Sequence, residues 1–194
     1  MFDRNKFLND SLTESADVKL KTLTECKISI LKAADIIKAA FLKGNKVMFC
    51  GNGGSAADSQ HLATELVIRL SHDVKRPAFG AIALTTDSSN LSAGGNDIGF
   101  ENVFARSVEG LGTEGDVLVA ISTSGNSPNV IKAIEMAKSK KITTVGFLGG
   151  TGGKIKNITD MNIVIPSNNT QRIQESHITV GHIICEIVER EIYP

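Results

Sequence analysis

The sequence predicts an α/β fold, a three-layer doubly wound arrangement with a parallel sheet of about five strands and long helices at both ends. Three observations carry this. From residue 46 onward, short apolar runs alternate with segments of helical period, the pattern of repeated strand–helix units. The runs are continuous, VLVAI and NIVI among them, as strands covered on both faces require. Sixteen of the 18 glycines lie between Gly51 and Gly153, so the tight turns belong to the middle and the ends read as helix.

Taken in order, Leu20, Leu23, Cys26, Ile30, Ala34, Ile37 and Phe41 recur at steps of three and four, which predicts a long helix ending at Lys43-Gly44 with that stripe packed on a neighbour. KVMFC (46–50) is the first strand, and a helix runs from Ser55 to about Leu70. GAIAL (80–84) is the second strand, followed by a helical stretch near 98–110. DVLVAI (116–121) is the third, followed by a helix over 128–139. ITTVGF (142–147), a short helix near 153–159, MNIVI (161–165) and a terminal helix of about 170–192 complete the chain. In such sheets ligands bind outside the carboxyl ends of the strands, so function is expected in the loops that follow them.

Composition bounds the partners. The 21 Lys plus Arg balance 21 Asp plus Glu, so nothing here recruits nucleic acid or an anionic membrane through bulk charge. An anion must be held by local geometry. The odd, dispersed Cys26, Cys50 and Cys185 fit buried thiols better than a disulfide framework or a thiolate zinc site. No apolar leader or membrane-length run is present, so a cytoplasmic protein is expected. With no linker or repeat, residues 1–194 read as one domain.

Two loops suit a phosphate. Gly51-Asn52-Gly53-Gly54-Ser55-Ala56-Ala57-Asp58 places glycines before a helix start, with Ser55 and Asp58 spaced as a capping box. The string also satisfies G-x-G-x-x-A, but the acidic residue that a dinucleotide site wants about 20 residues on is missing, Asp87 being much more distant. Ser122-Thr123-Ser124-Gly125-Asn126-Ser127-Pro128 sets hydroxyls against a helix start, with Ser127 as N-cap and Pro128 as first helical residue. That arrangement can hold a phosphate monoester without a Lys or Arg.

His61 and Glu65, four apart, share one helix face and fit an exposed pair as well as a metal or acid–base site. On the terminal helix His182 and His177 flank Gln174 on opposite sides, and spacing does not choose between them. His177 is in register with Ile173, Val180 and Ile184, the position of a hydrogen-bonded core histidine.

GNGGSAADSQHLATEL, GGNDIGFENVF, AISTSGNSPNV and RIQESHITVGH, in this order along nearly the whole chain, resemble the sugar isomerase (SIS) family, and within it the branch that isomerises heptose phosphates. The resemblance implies a homotetramer with active sites at subunit interfaces, which converts sedoheptulose 7-phosphate to D-glycero-D-manno-heptose 7-phosphate for lipopolysaccharide or other surface polysaccharide. It implies one Zn2+ per subunit held by His61, Glu65, Gln174 and His182. Implied substrate contacts are Asn52, Gly53, Gly54, Glu65, Asn96, Asp97, Ser122, Thr123, Ser124, Ser127 and Gln174, with Glu65 and His182 carrying the proton transfers. A non-catalytic relative, the SIS tetramer that binds a replication initiator, resembles the same loops but has no need of Glu65 and His182. A sensing module would come with a DNA-binding domain, and neither a helix-turn-helix pattern nor a basic face precedes the first strand.

Overall fold

The computed structural model describes residues 2–194. Its elements are α1 (Arg4–Leu42), β1 (Val47–Gly51), α2 (Gly54–Val67), β2 (Ala81–Ala83), α3 (Ser88–Asp97), α4 (Val103–Leu111), β3 (Val117–Ser122), α5 (Pro128–Ser139), β4 (Thr143–Gly149), β5 (Met161–Ile165) and α6 (Thr170–Ile192), with 3-10 turns at Phe100–Asn102 and Ile155–Asn157. The five strands form one parallel sheet in the order β2-β1-β3-β4-β5.

Alternation along the strands builds a core on each face of the sheet. Val47 and Phe49 join α1, α2 and α6 residues such as Ile37, Leu62 and Val180 on one side. Met48 and Cys50 join Phe104 and Val108 of α4 and Ile134 of α5 on the other. Both faces are therefore covered, which is why β1 and β3 are buried at every position. β5 departs from the expectation drawn from its continuous apolar run. It is an edge strand, and Asn162 and Val164 are only half-buried.

Three further expectations are corrected. The stretch read as one helix near 98–110 is α3, a 3-10 turn and α4 in succession; α3 is SSNLSAGGND, buries no residue and so leaves no apolar period to read. Leu20 and Leu23 do not belong to the packed stripe of α1. They are exposed, and Val18 and Thr22 face inward in their place, in line with the expected Cys26, Ile30, Ala34 and Ile37. The segment near 153–159 holds only three helical residues. The three cysteines are free and buried, as expected.

Since β1 and β3 are neighbours while their following helices lie on opposite faces, the chain changes direction between them. The loops after β1 and β3 thus meet at the carboxyl edge of the sheet, at its switch point.

Candidate active site

The loop after β1 turns on Gly53, whose φ of 56° is a left-handed conformation that favours glycine. Gly51 has no room for a side chain either, since a Cβ would lie 2.7 Å from that of Ser55. The capping-box reading of Ser55 and Asp58 does not hold. The helix starts one residue earlier, Gly53 is its N-cap and no side chain caps it. Ser55 is buried in the first turn, and Asp58 is turned toward α6.

The loops after β1 and β3 are tied by a reciprocal amide pair: Asn52 Nδ2 donates to Asn129 Oδ1 at 2.9 Å, and Asn129 Nδ2 donates to Asn52 Oδ1 at 2.8 Å. In the serine loop, Ser127 occupies the N-cap of α5, as expected, but its hydroxyl makes no cap bond. It faces the Ser122 hydroxyl at 3.1 Å. The first turn of α5 offers fewer free N–H groups than its sequence suggests, because Pro128 has none and that of Val130 goes to Asn129 Oδ1. Ser124 Oγ accepts from Asn126 N–H at 3.2 Å, which leaves its own O–H able to donate to an anion. Gly125 has a φ of 64°, and a Cβ there would lie 2.0 Å from the Gly152 carbonyl oxygen, so the glycine loop after β4 buttresses the serine loop. Thr123 and Ser124 line a cleft of about 270 Å³ with Gly149, Gly150, Asn168 and Thr170. The last two are lining residues the sequence reading missed, since nothing local links them to a loop 45 residues earlier.

The structure chooses between the two α6 histidines. His182 Nε2 lies 2.7 Å from His61 Nε2, and His61 Nε2 lies 3.1 Å from Glu65 Oε1. His177 turns into the core, where Nε2 donates to the Leu148 carbonyl at 2.9 Å, and burial lowers its pKa to about 4. The helices approach this closely because a Cβ on Gly181 would lie 2.5 Å from Leu62 Cδ2; only glycine admits Leu62 at the crossing.

Two imidazole nitrogens and a carboxylate oxygen, all within 4.8 Å of one another, are three potential ligand atoms gathered at one place. A proton shared between the rings or a bound cation suits such a group, and nitrogen with carboxylate is a donor set that fits zinc. Gln174, also expected here, donates from Nε2 to Asp58 Oδ1 at 2.6 Å. That bond fixes the amide and leaves its oxygen as the atom for a ligand. Asp58, expected only as part of a cap, is the partner of Gln174. Its spacing of three from His61 and seven from Glu65, on one helical stripe, is the signal that places it here. Burial pushes its carboxyl up to about 6, while the Gln174 amide and His61 pull it down.

The SIS domain family matches residues 12–149. The phosphoheptose isomerase of Akkermansia muciniphila is 49% identical over 189 residues, covering 97% of this chain and 98% of that protein. The chain belongs to the phosphoheptose isomerase family of SIS-domain proteins. Phosphoheptose isomerase 2 of Campylobacter jejuni is 48% identical over 196 residues, covering 100% of this chain and 96% of that protein. The structures of the phosphoheptose isomerases of Neisseria gonorrhoeae and Francisella tularensis superpose with TM-scores of 0.91 and 0.93 at 37% and 33% identity, each covering 97% of this chain and 100% of theirs. These relatives are sugar-phosphate isomerases, and the chain is an enzyme of that class.

Two positions implied by the resemblance stand apart from the others in this chain. Asn96 and Asp97 are exposed at the end of α3, and Asn96 Nδ2 donates to Asp97 Oδ1 at 2.7 Å. Asp97 lines a separate groove of about 490 Å³ with Asn90, Arg106 and Ser107.

Proposed function

We propose that this enzyme converts sedoheptulose 7-phosphate to D-glycero-D-manno-heptose 7-phosphate through an enediol. The observation that carries the reading is the meeting of Glu65 and His182 at His61, beside two loops joined by Asn52 and Asn129. The serine loop holds the phosphate through Ser122, Thr123, Ser124 and Ser127, and Asn52, Gly53, Gly54 and Gln174 face the sugar, while Asn96 and Asp97, apart from these within one chain, reach the substrate across a subunit interface. Glu65 removes a proton from C1, and the C1–H electrons form the C1=C2 double bond. The carbonyl oxygen at C2 takes a proton from His182. The O1 hydroxyl then gives its proton to His182 as C1=O forms, and the C1=C2 electrons take the proton held by Glu65 at C2, restoring both groups.

His61, Glu65, Gln174 and His182 would hold one Zn2+ per subunit. Bound there, zinc supplies positive charge beside the oxygen on which negative charge develops. Glu65 and His182 belong to both sets; held by the ion, Glu65 would be a weaker base and His182 would have no proton to give from the ligating nitrogen.

A homotetramer with sites at subunit interfaces is part of the same proposal. Leu8, Leu12, Leu20, Leu23, Ile28 and Leu31 are exposed along α1, with Ile183 exposed on α6, more apolar helix surface than water favours. No described helix is long and apolar enough to cross a membrane, in keeping with a cytoplasmic enzyme that supplies heptose to lipopolysaccharide or another surface polysaccharide. Glu65 and His182 speak against the replication-initiator-binding alternative, which needs neither.

The test is incubation of metal-replete protein with sedoheptulose 7-phosphate, followed by NMR. Appearance of the aldose is expected, and no turnover would overturn the assignment. Light scattering on the same sample reads the oligomer, and a monomer would refute the tetramer.

A further inference from the structure

The helices that carry the acid–base cluster are linked by an ion pair that is not itself part of the cluster. Arg76 lies between α2 and β2, and Glu189 lies on α6; Arg76 Nε donates to Glu189 Oε1 at 2.7 Å, and both side chains are 1% exposed. Arg76 Nη2 donates to the Glu65 backbone carbonyl at 2.9 Å. The guanidinium is further seated 4.3 Å from the Phe79 ring centroid, and Glu189 Oε2 accepts the Ser71 N–H at 2.9 Å.

The Glu65 carbonyl is one that its own helix abandons. α2 ends at Val67, where the last helix-closing N–H, that of Ile68, goes to Thr64. A carbonyl in the last turn lacks an intrahelical donor and carries the negative end of the helix dipole, so a guanidinium suits it twice over. Glu189 follows His182 by seven residues, two helical turns, and lies on nearly the same face of α6. Arg76 thus ties the backbone of Glu65 to the stripe that presents His182.

Stability does not explain the choice of residues. Desolvating two charges offsets most of their attraction, and an apolar pair of similar volume generally serves as well. What an apolar pair cannot do is bind the Glu65 carbonyl. We propose that Arg76 and Glu189 are positioning residues, a buried strut that sets the spacing of His61 and Glu65 from His182 and thereby the affinity of the cluster for a divalent cation. This rests on the metal reading above.

The experiment measures zinc affinity of the full-length protein by competition with a chromophoric chelator, and the visible spectrum of the cobalt(II) form. Arg76→Lys keeps the charge but cannot hold Glu65 and Glu189 together; Glu189→Gln keeps the shape and removes the charge. Val188→Ala is the control, a buried apolar neighbour on the same helix. Both strut variants are expected to bind zinc about 10- to 100-fold more weakly, the loss typical of groups that orient metal ligands, and to shift the cobalt spectrum. The control loses Tm with neither change. Wild-type zinc affinity and cobalt spectrum in the strut variants would overturn the proposal, as would an equal loss of affinity in Val188→Ala. If Arg76→Lys fails to fold, Glu189→Gln alone decides the matter. Wild-type protein that binds neither zinc nor cobalt would overturn the metal reading and this inference with it.

Discussion

Gly181 and Leu62 touch where α6 crosses α2, and this contact determines how near His182 comes to His61. A Cβ on residue 181 would meet Leu62 Cδ2 at 2.5 Å, and Leu62 is buried. Gly181→Ala gains about 1 kcal/mol of helix propensity, yet overpacking of this kind costs about 1–3 kcal/mol. The helices separate to relieve it. The expected outcome is a modest change in Tm with at least a tenfold fall in kcat, measured by thermal melts and steady-state turnover. Wild-type kcat would show that the crossing does not control the site.

Glu65→Gln preserves shape and hydrogen bonding while removing the base. Proton transfer by a positioned group contributes about 10²- to 10⁴-fold, so kcat is expected to fall by that order while calorimetry shows substrate still bound. A variant with normal turnover would remove Glu65 from the chemistry.

Ser124→Ala deletes a hydroxyl whose proton is uncommitted in the serine loop. A hydrogen bond to a charged phosphate contributes about 1.5–3 kcal/mol, which predicts KM raised roughly 10- to 100-fold with little effect on stability. Unchanged KM would place the phosphate elsewhere. Gly125→Ala is the harsher counterpart, since its Cβ would collide with the Gly152 carbonyl and displace the whole loop.

His177 makes stability depend on pH. Its folded pKa of about 4 lies below the ordinary 6.5 because burial disfavours the imidazolium, the Leu148 carbonyl opposing only in part. Between these values the unfolded chain binds more protons, so this contribution is fully present above about pH 6.5 and is lost as pH falls toward 4, roughly 3 kcal/mol in all. Asp58 acts with the opposite sign over part of the range, because burial raises its folded pKa to about 6. The difference between His177→Phe and wild type therefore isolates the effect. Urea midpoints at pH 8 and pH 5 should show the variant less sensitive to acid; equal sensitivity would refute it.

Local pattern was enough to announce the α/β class, the five strands, the two loops after β1 and β3 and the His61/Glu65 pair. Strand burial leaves continuous apolar runs, glycine turns leave glycines, and a helix face leaves a fixed spacing. α3 was illegible for the complementary reason: it buries nothing, so no periodicity marks it. Leu20 and Leu23 misled because an exposed apolar face has the same period as a packed one, and only the neighbours of α1 reveal which is which.

Spacing left His182 and His177 open, register pointed His177 to the core, and tertiary structure shows what brings that about. Both lie on α6 within two turns, and the choice depends on where Gly181 lets Leu62 enter and on which backbone carbonyl, Leu148, awaits a donor. The same holds for Asp58 against Gln174, for Asn52 against Asn129 and for Arg76 against Glu65. Each joins residues distant in sequence or separated by an irregular loop, where no local period connects the partners. Packing brought them together, and their chemistry follows from that proximity.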